Sequence, residues 1–240
     1  DHSILQVTRR HNERILNGMS DWVYEEEFGL RDGFQWSPDG KRIAYFRFDT
    51  SGVGDFTMIN NTDTLYPTLK TFAYAKAGTR NSAVQVQIVE LKTGETTTVV
   101  LPGDLRDDYV PRIQWLESSG QLLVRQMNRL QNRETQYLVD VERHSTRVLM
   151  RETDDAWIDL QDSIVFTDDD DSFFYLSDRD GWRHLYRFDA DGDGSTLVTQ
   201  GDFDVVEFLG HFPPDEYSEG NSYVIASPES ASERFLYRHS

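Results

Sequence analysis

The residues most able to do chemistry lie in Asp21-Trp22-Val23-Tyr24-Glu25-Glu26-Glu27, where three consecutive carboxylates follow two large aromatics and are closed by Phe28 and Gly29. Acidic triplets on solvated surfaces usually have polar neighbours. The apolar flanks here point to carboxylates held against packed structure, in a partly buried place. Two or three carboxylates so held make a receptor for an ammonium group, each charge-assisted hydrogen bond contributing roughly 1.5–3 kcal/mol. The same run also reads as the start of a helix, whose first turn prefers acidic side chains.

Other constellations are weaker. Asp189-Ala190-Asp191-Gly192-Asp193-Gly194 imitates the start of a calcium-binding EF-hand loop, but Gln200 stands where the bidentate Glu belongs. Its flanks read as strands, so a polar hairpin turn is expected there, and Asp168–Asp171 reads as a solvated turn. The six histidines are scattered, no Gly-x-Ser-x-Gly elbow occurs, and His184 is expected to be structural. Trp157 and Trp182 are expected to pack within sheets. Asn128-Arg129-Leu130-Gln131-Asn132 reads as a polar hairpin end whose role composition leaves open.

Composition narrows the function classes. The 240 residues carry 24 Lys and Arg against 42 Asp and Glu, a net charge of −18, which argues against nucleic acid and against an anionic membrane surface. Cysteine is absent, which excludes disulfides, thiolate metal sites and Cys nucleophiles. No cofactor or metal site is indicated. Asp is abundant and Lys scarce, a balance suited to solubility in strong salt, where self-repulsion is screened. The chain opens in mid-pattern at Asp1, so a fragment of a longer protein is expected.

The elements that position these residues are short strands. Ser3–Thr8 and Arg14–Leu16 alternate as strands, and Asn17-Gly18 is a turn signal. Phe34–Phe48 reads as strand, Ser37-Pro38-Asp39-Gly40 turn, strand, because Pro presets φ and Gly supplies positive φ. Residues 49–82 read as a long irregular segment. Strands resume at Val84–Leu91, Glu95–Leu101, Tyr109–Trp115, Gln121–Asn128, Thr135–Asp140 and Thr146–Met150. Two units, Phe173–Arg187 and Tyr223–Arg238, repeat strand, polar turn and a strand ending in Leu-Tyr-Arg. No stretch keeps a helical apolar period over three turns, so helix is expected to be scarce. The fold class is all-β, with about four propeller-like units of about 40–50 residues each.

Trp36-Ser37-Pro38-Asp39-Gly40-Lys41 resembles the blade signature of β-propellers. With the acidic stretch, Tyr66-Pro67, Lys76-Ala77-Gly78, Tyr109-Val110-Pro111-Arg112, Asn128–Asn132, Glu152–Trp157 and Asp180–Tyr186, it resembles the N-terminal propeller of the dipeptidyl peptidase IV family, bacterial members in particular. The resemblance runs in order along nearly the whole chain. It implies a partial propeller, about four blades of an eight-bladed family ring, with a short helical insertion bearing the Glu motif. It further implies that Glu26 and Glu27 hold the free α-ammonium of a peptide substrate, with Glu25 in support. The activity implied is that of a serine exopeptidase releasing N-terminal dipeptides after Pro or Ala.

On this resemblance residues 1–240 are a propeller fragment. The Ser-Asp-His triad lies in a C-terminal α/β-hydrolase domain outside it, so no catalytic residue is expected here and the fragment alone should be inactive. The implied partners are peptides with a free N-terminus, the hydrolase domain and, for a homodimer, a second copy. Export to the periplasm, the cell surface or the medium is implied for the parent. Two departures stand out: Tyr74-Ala75-Lys76-Ala77-Gly78 and Asn81-Ser82 lack prolines the family often has there, which leaves the local loop geometry open. A non-enzymatic propeller that binds a protein partner, and the propeller of a tripeptidyl or acylaminoacyl peptidase, remain alternatives.

Overall fold

The computed structural model describes residues 4–118, 120–162, 164–192, 194–213 and 220–239. The chain forms two compact units, Asp1–Trp115 with Val124–Arg129, and Leu116–Leu123 with Leu130–Ser240.

The first unit contains β1 (Ile15–Asn17), α1 (Trp22–Phe28), β2 (Phe34–Trp36), β3 (Arg42–Asp49), β4 (Asp55–Asn60), β5 (Thr68–Ala73), β6 (Ala83–Glu90), β7 (Thr96–Thr98) and β8 (Asp108–Trp115). The division between the units falls inside β9 (Leu122–Asn128). Strand β3 organises this unit. Ala44, Phe46 and Phe48 lie along it with almost no exposure, and β6 pairs antiparallel with its whole length. Along the other edge, β1 pairs with Asp49–Arg47 and β2 with Tyr45–Ile43, so β1 and β2 lie end to end.

Between β1 and β2 the chain leaves the sheet, and this excursion carries α1. Its base is pinched by an antiparallel bridge between Met19 and Asp32. At that base Gly18 N–H donates to the Phe46 carbonyl, and Phe46 N–H donates to the Gly33 carbonyl. Gly33 has to be glycine, since a Cβ there would lie 2.6 Å from the Met19 backbone nitrogen.

The turn joining β2 to β3 forms as its residues dictate. Gly40 takes φ +69°, the Ser37 hydroxyl donates to Asp39 Oδ1 at 2.7 Å, and Arg42 N–H donates to Ser37 Oγ at 2.9 Å. The hydrogen bond from Ser37 and the Lys41 amide hold the Asp39 carboxyl well below the usual carboxylate range.

The second unit contains β10 (Arg133–Asp140), β11 (Ser145–Thr153), β12 (Val165–Phe166), β13 (Ser172–Ser177), β14 (His184–Asp189), β15 (Ser195–Leu197), β16 (Val205–Phe212), β17 (Asn221–Ala226) and β18 (Phe235–His239). β10 pairs antiparallel with β11, β12 to β15 form a four-stranded meander, and β16 to β18 form a three-stranded one. Strand β13 is buried on both faces. Phe173 and Tyr175 join one cluster with Leu138, Leu149 and Phe188, while Phe174 and Leu176 join another with Leu185, Val205 and Val224. That two-sided burial explains its unbroken apolar run. The turn before β13 repeats the Ser37–Arg42 chemistry, with Thr167 in place of Ser37, Asp169 in place of Asp39, and Asp170 at φ +58° in place of Gly40.

The all-β expectation holds, and among the described residues α1 is the only helix. Three expectations are corrected. Residues 4–8 form no strand, and Ile4 and Leu5 are exposed, because alternation stabilises a strand only where a partner and a core meet it. Residues 49–82 are not irregular but contain the β4-β5 hairpin, paired from Asp55↔Ala73 to Asn60↔Thr68. Both its faces are largely exposed, so no apolar period marked it. Trp157 and Trp182 are exposed rather than packed in sheets, being 52% and 40% accessible on loops that follow capping carboxylates.

Candidate functional site

Helix α1 is seven residues long, too short to be stable by itself, so its caps and one packed face must hold it. Asp21 is the N-cap, accepting the Tyr24 N–H at 3.0 Å. Burial raises the Asp21 carboxyl above its usual range, opposed by hydrogen bonds from Ser82 and from the Tyr24 and Val23 amides. Gly29, at φ +62°, ends the helix and returns its N–H to the Glu25 carbonyl.

The packed face is Tyr24 and Phe28, four residues apart and hence on one side. The Tyr24 ring meets Phe48 at 4.7 Å, Phe28 at 5.3 Å and Tyr109 at 6.0 Å. Its hydroxyl oxygen accepts the Val110 N–H at 2.8 Å. Burial pushes this phenol well above its ordinary pKa. With Tyr24 and Phe28 turned inward, the three glutamates are left on the outside, and all three are exposed. The expectation of partly buried carboxylates is thereby corrected: the flanks pack and the carboxylates do not.

The helix separates the three. Glu26 and Glu27 share a cleft of about 340 Å³ with Trp22, Val23, Tyr74, Ala75, Lys76 and Ala77. Glu25 lines a different cleft of about 560 Å³, beside Asp21 and the Arg14–Asp55 ion pair. Trp22 borders both, its ring 4.7 Å from Tyr74 and 5.7 Å from Phe72. The helical period explains the pairing, since Glu26 lies below Trp22 and Glu27 below Val23 at the i, i+4 spacing.

The acidic-helix-start reading covers only Glu25, which falls in the first turn. Glu26 and Glu27 fall in the last turn, which holds no basic residue, and the negative end of the helix dipole disfavours carboxylates there. Neither carboxylate has a hydrogen-bond or ion-pair partner among the described residues. Local helix stability therefore does not account for their placement, and an incoming cation would find two unengaged carboxylates in one cleft.

Sequence reading missed the far wall of this cleft. Tyr74–Ala77 reaches it through the end of β5 and a turn in which the Thr79 N–H and hydroxyl both donate to the Lys76 carbonyl, at 2.9 and 2.7 Å. The only signal was the Lys76-Ala77-Gly78 segment, with Gly78 at φ +77°. Asn81, buried, donates to the Tyr109 hydroxyl at 3.1 Å. These bonds describe the loop whose missing prolines left its geometry open.

The remaining candidates lie elsewhere. His184 is buried, its Nδ1 2.8 Å from Asp180 Oδ2 and its ring edge-on to Phe203, a structural placement. Asp189–Gly194 is a turn between β14 and β15, closed by Asp189 N–H to the Gly194 carbonyl, with Asp193 outside the described residues. Asp168–Asp171 belongs to the turn before β13.

Similarity to known proteins agrees with this architecture. Residues 1–239 match the family model described as the dipeptidyl peptidase IV (DPP IV) N-terminal region. A probable dipeptidyl peptidase 4 of Neosartorya fischeri is 30% identical, the match covering 98% of this chain and 32% of that protein. Another from Trichophyton verrucosum is 33% identical, over 85% of this chain and 29% of that protein. The chain thus spans about a third of the length of these curated relatives. Among solved structures, the Porphyromonas gingivalis dipeptidyl peptidase 4 superposes with a TM-score of 0.85 at 32% identity, covering 98% of this chain and 33% of that one. A putative dipeptidyl aminopeptidase IV from Bacteroides ovatus gives 0.73 at 26%, over 95% and 35%. The all-β sheets, the short Glu-bearing helix and these similarities together mean that the chain, a partial β-propeller, belongs to the dipeptidyl peptidase IV N-terminal region family.

Proposed function

We propose that this chain is the substrate-anchoring propeller portion of a serine exopeptidase that releases N-terminal dipeptides after Pro or Ala. In this reading Glu26 and Glu27 receive the substrate's α-ammonium, Glu25 supports the helix from the neighbouring cleft, and an α/β-hydrolase domain supplies the Ser-Asp-His triad. The single observation that carries it is two partnerless carboxylates side by side in one small cleft, at the helix end that opposes them electrostatically.

The chemistry follows from that pairing. An ammonium has three donors, and two carboxylates can take two of them in charge-assisted bonds while balancing its charge. Fixing the N-terminus at one point sets how far the peptide extends toward a nucleophile, so the bond cut is decided by distance from the anchor. Positioning of this kind removes several kcal/mol from a barrier, roughly within the 7–11 kcal/mol available to well-oriented reactants. The partners in this reading are peptides with a free N-terminus, the hydrolase domain and a second copy of the chain. For the last, the exposed Ile59 and its cross-strand partner Leu69 on one face of the β4-β5 hairpin, with Leu65 at its tip, offer an apolar surface.

The test is kinetic, on the protein carrying both this region and the hydrolase domain. Glu26→Gln and Glu27→Gln are each expected to lower kcat/KM for Gly-Pro-p-nitroanilide at least about tenfold, the loss of one charge-assisted bond. The same variants should narrow the discrimination against the N-acetylated substrate, which lacks the ammonium. Unchanged kinetics would rule out the carboxylate anchor and favour a propeller that serves a protein partner. Release of tripeptides would move the chain to a related peptidase.

A further inference from the structure

Within the polar Asn128–Asn132 run, the Arg129 side chain ends at the turn that follows the cleft's far wall. Its guanidinium donates through Nη2 to the Thr79 carbonyl, and its Nη1 lies 3.5 Å from Asp107 Oδ1. Thr79 closes the turn that begins at Lys76, through both its N–H and its hydroxyl. Lys76 and Ala77, at the start of that turn, face the cleft of Glu26 and Glu27. One unbroken chain of hydrogen bonds therefore runs from Arg129 through Thr79 to the wall opposite the two carboxylates.

A second arginine holds the following residues of the same segment. Arg106 Nη1 donates to the Asn81 carbonyl at 2.9 Å and to the Asp49 carbonyl at 3.2 Å, which ties the segment to the end of β3. Ser82, next in line, is buried and acts to lower the pKa of the Asp21 carboxyl that caps α1. Arg129 and Arg106 therefore grip the segment that follows the cleft wall at two carbonyls, those of Thr79 and Asn81. The exposed Lys76–Thr79 turn, with Gly78 in the left-handed region, buries no side chain to hold it, so its carbonyls are the available handles.

We propose that Arg129 is a positioning residue for substrate anchoring: it fixes the Lys76–Thr79 turn, and so the width of the cleft in which Glu26 and Glu27 receive the ammonium, without touching the ligand. This rests on the proposed anchoring role of the two glutamates. A guanidinium suits the task, since it is permanently charged and its planar fork spans a carbonyl and a carboxylate together.

The experiment uses the protein that carries the hydrolase domain, with Gly-Pro-p-nitroanilide as substrate. Arg129→Met keeps the stem and removes the donors. It is expected to raise KM about three- to tenfold, with kcat held within about twofold and the thermal midpoint little changed. Arg129→Lys, which restores one donor, should recover most of the loss. In a Glu27→Gln background the Arg129→Met effect should largely vanish, because both act through one cleft, whereas an unrelated structural defect would add.

A folded Arg129→Met with unchanged KM overturns the proposal. So does a parallel fall of kcat and thermal midpoint that Lys fails to restore, or full additivity with Glu27→Gln. Should Arg129→Met not fold, Asp107→Asn, which loosens the guanidinium from its other side, has to raise KM, and an unchanged KM overturns the proposal equally. The two readings fail in distinguishable ways. A silent Glu27→Gln removes the anchor and this inference with it, while an effective Glu27→Gln beside a silent Arg129→Met removes only the inference.

Discussion

Substituting Tyr24 by Phe isolates a buried hydrogen bond that fastens α1 to β8. The ring stays, and with it the contacts to Phe28, Phe48 and Tyr109. What goes is the oxygen that accepts the Val110 N–H, at a residue only 3% exposed. A buried donor left without its acceptor costs about 1–3 kcal/mol. For a chain of this size each kcal/mol moves the thermal midpoint by about 2–4 °C, so the expected drop is about 2–12 °C.

Urea unfolding followed by circular dichroism measures this directly, with a lower midpoint concentration at unchanged slope. Tyr24→Ala is the comparison, because it also empties an aromatic-sized space and is expected to cost about 3–5 kcal/mol. Amide exchange at Val110 should accelerate in both variants. A Phe variant within about 0.3 kcal/mol of the parent would show that the hydroxyl contributes nothing, well below the usual cost of an unmet buried donor. A Phe variant as unstable as the Ala variant would show that ring packing is not what holds the helix. Either result refutes the reasoning.

Two further perturbations probe the same scaffold. Gly33→Ala places a Cβ against the Met19 backbone at the base of the α1 excursion, and is expected to cost about 1–3 kcal/mol in urea midpoint, as overpacking does. A neutral Gly33→Ala would mean the Met19–Asp32 bridge is not held closed. The pH profile carries a definite sign. Burial raises the phenols of Tyr24 and Tyr45 above 10, and burial with a hydrogen bond to Asp180 pushes Tyr186 up to about 12. The folded chain therefore binds these protons more tightly than the unfolded one, so their contribution is complete below pH 10 and is lost as pH rises through the folded values. Urea midpoints should fall between pH 10 and 12 with a shallower slope in Tyr24→Phe, and a flat profile would contradict the assignment.

Much of the fold could be read from residue order because the relevant physics is local. Ser37-Pro38-Asp39-Gly40 forms the expected turn since its hydroxyl, carboxylate and glycine satisfy one another within a few residues. The runs that became β6, β8, β10 and β13 carry apolar side chains at most of their buried positions, with Glu134 and Gln136 of β10 and Ser172 and Ser177 of β13 as the polar exceptions. The same logic misled where burial was not the organising force. Ile4–Thr8 alternates without a core to meet, and β4-β5 pairs through its backbone and a Thr57–Thr71 hydroxyl contact while most of its side chains face solvent, Phe72 against Trp22 excepted. Trp157 and Trp182, expected within sheets, stand exposed on loops.

For the site, the sequence by itself determined that three carboxylates would stand between aromatic anchors, and that a glycine would end their helix. It could not decide which of them would share a cleft, because a helix turns by about 100° per residue and only the packing of Tyr24 and Phe28 sets its rotation. Packing put Glu26 and Glu27 together and sent Glu25 to the far side of Trp22. Tertiary structure alone also brought Lys76 opposite them and laid Arg129 against the Thr79 carbonyl. Those contacts join residues far apart in the chain, and backbone carbonyls leave no mark in a sequence. The carboxylates were local chemistry, and the cleft that gives them a use was made by distant strands.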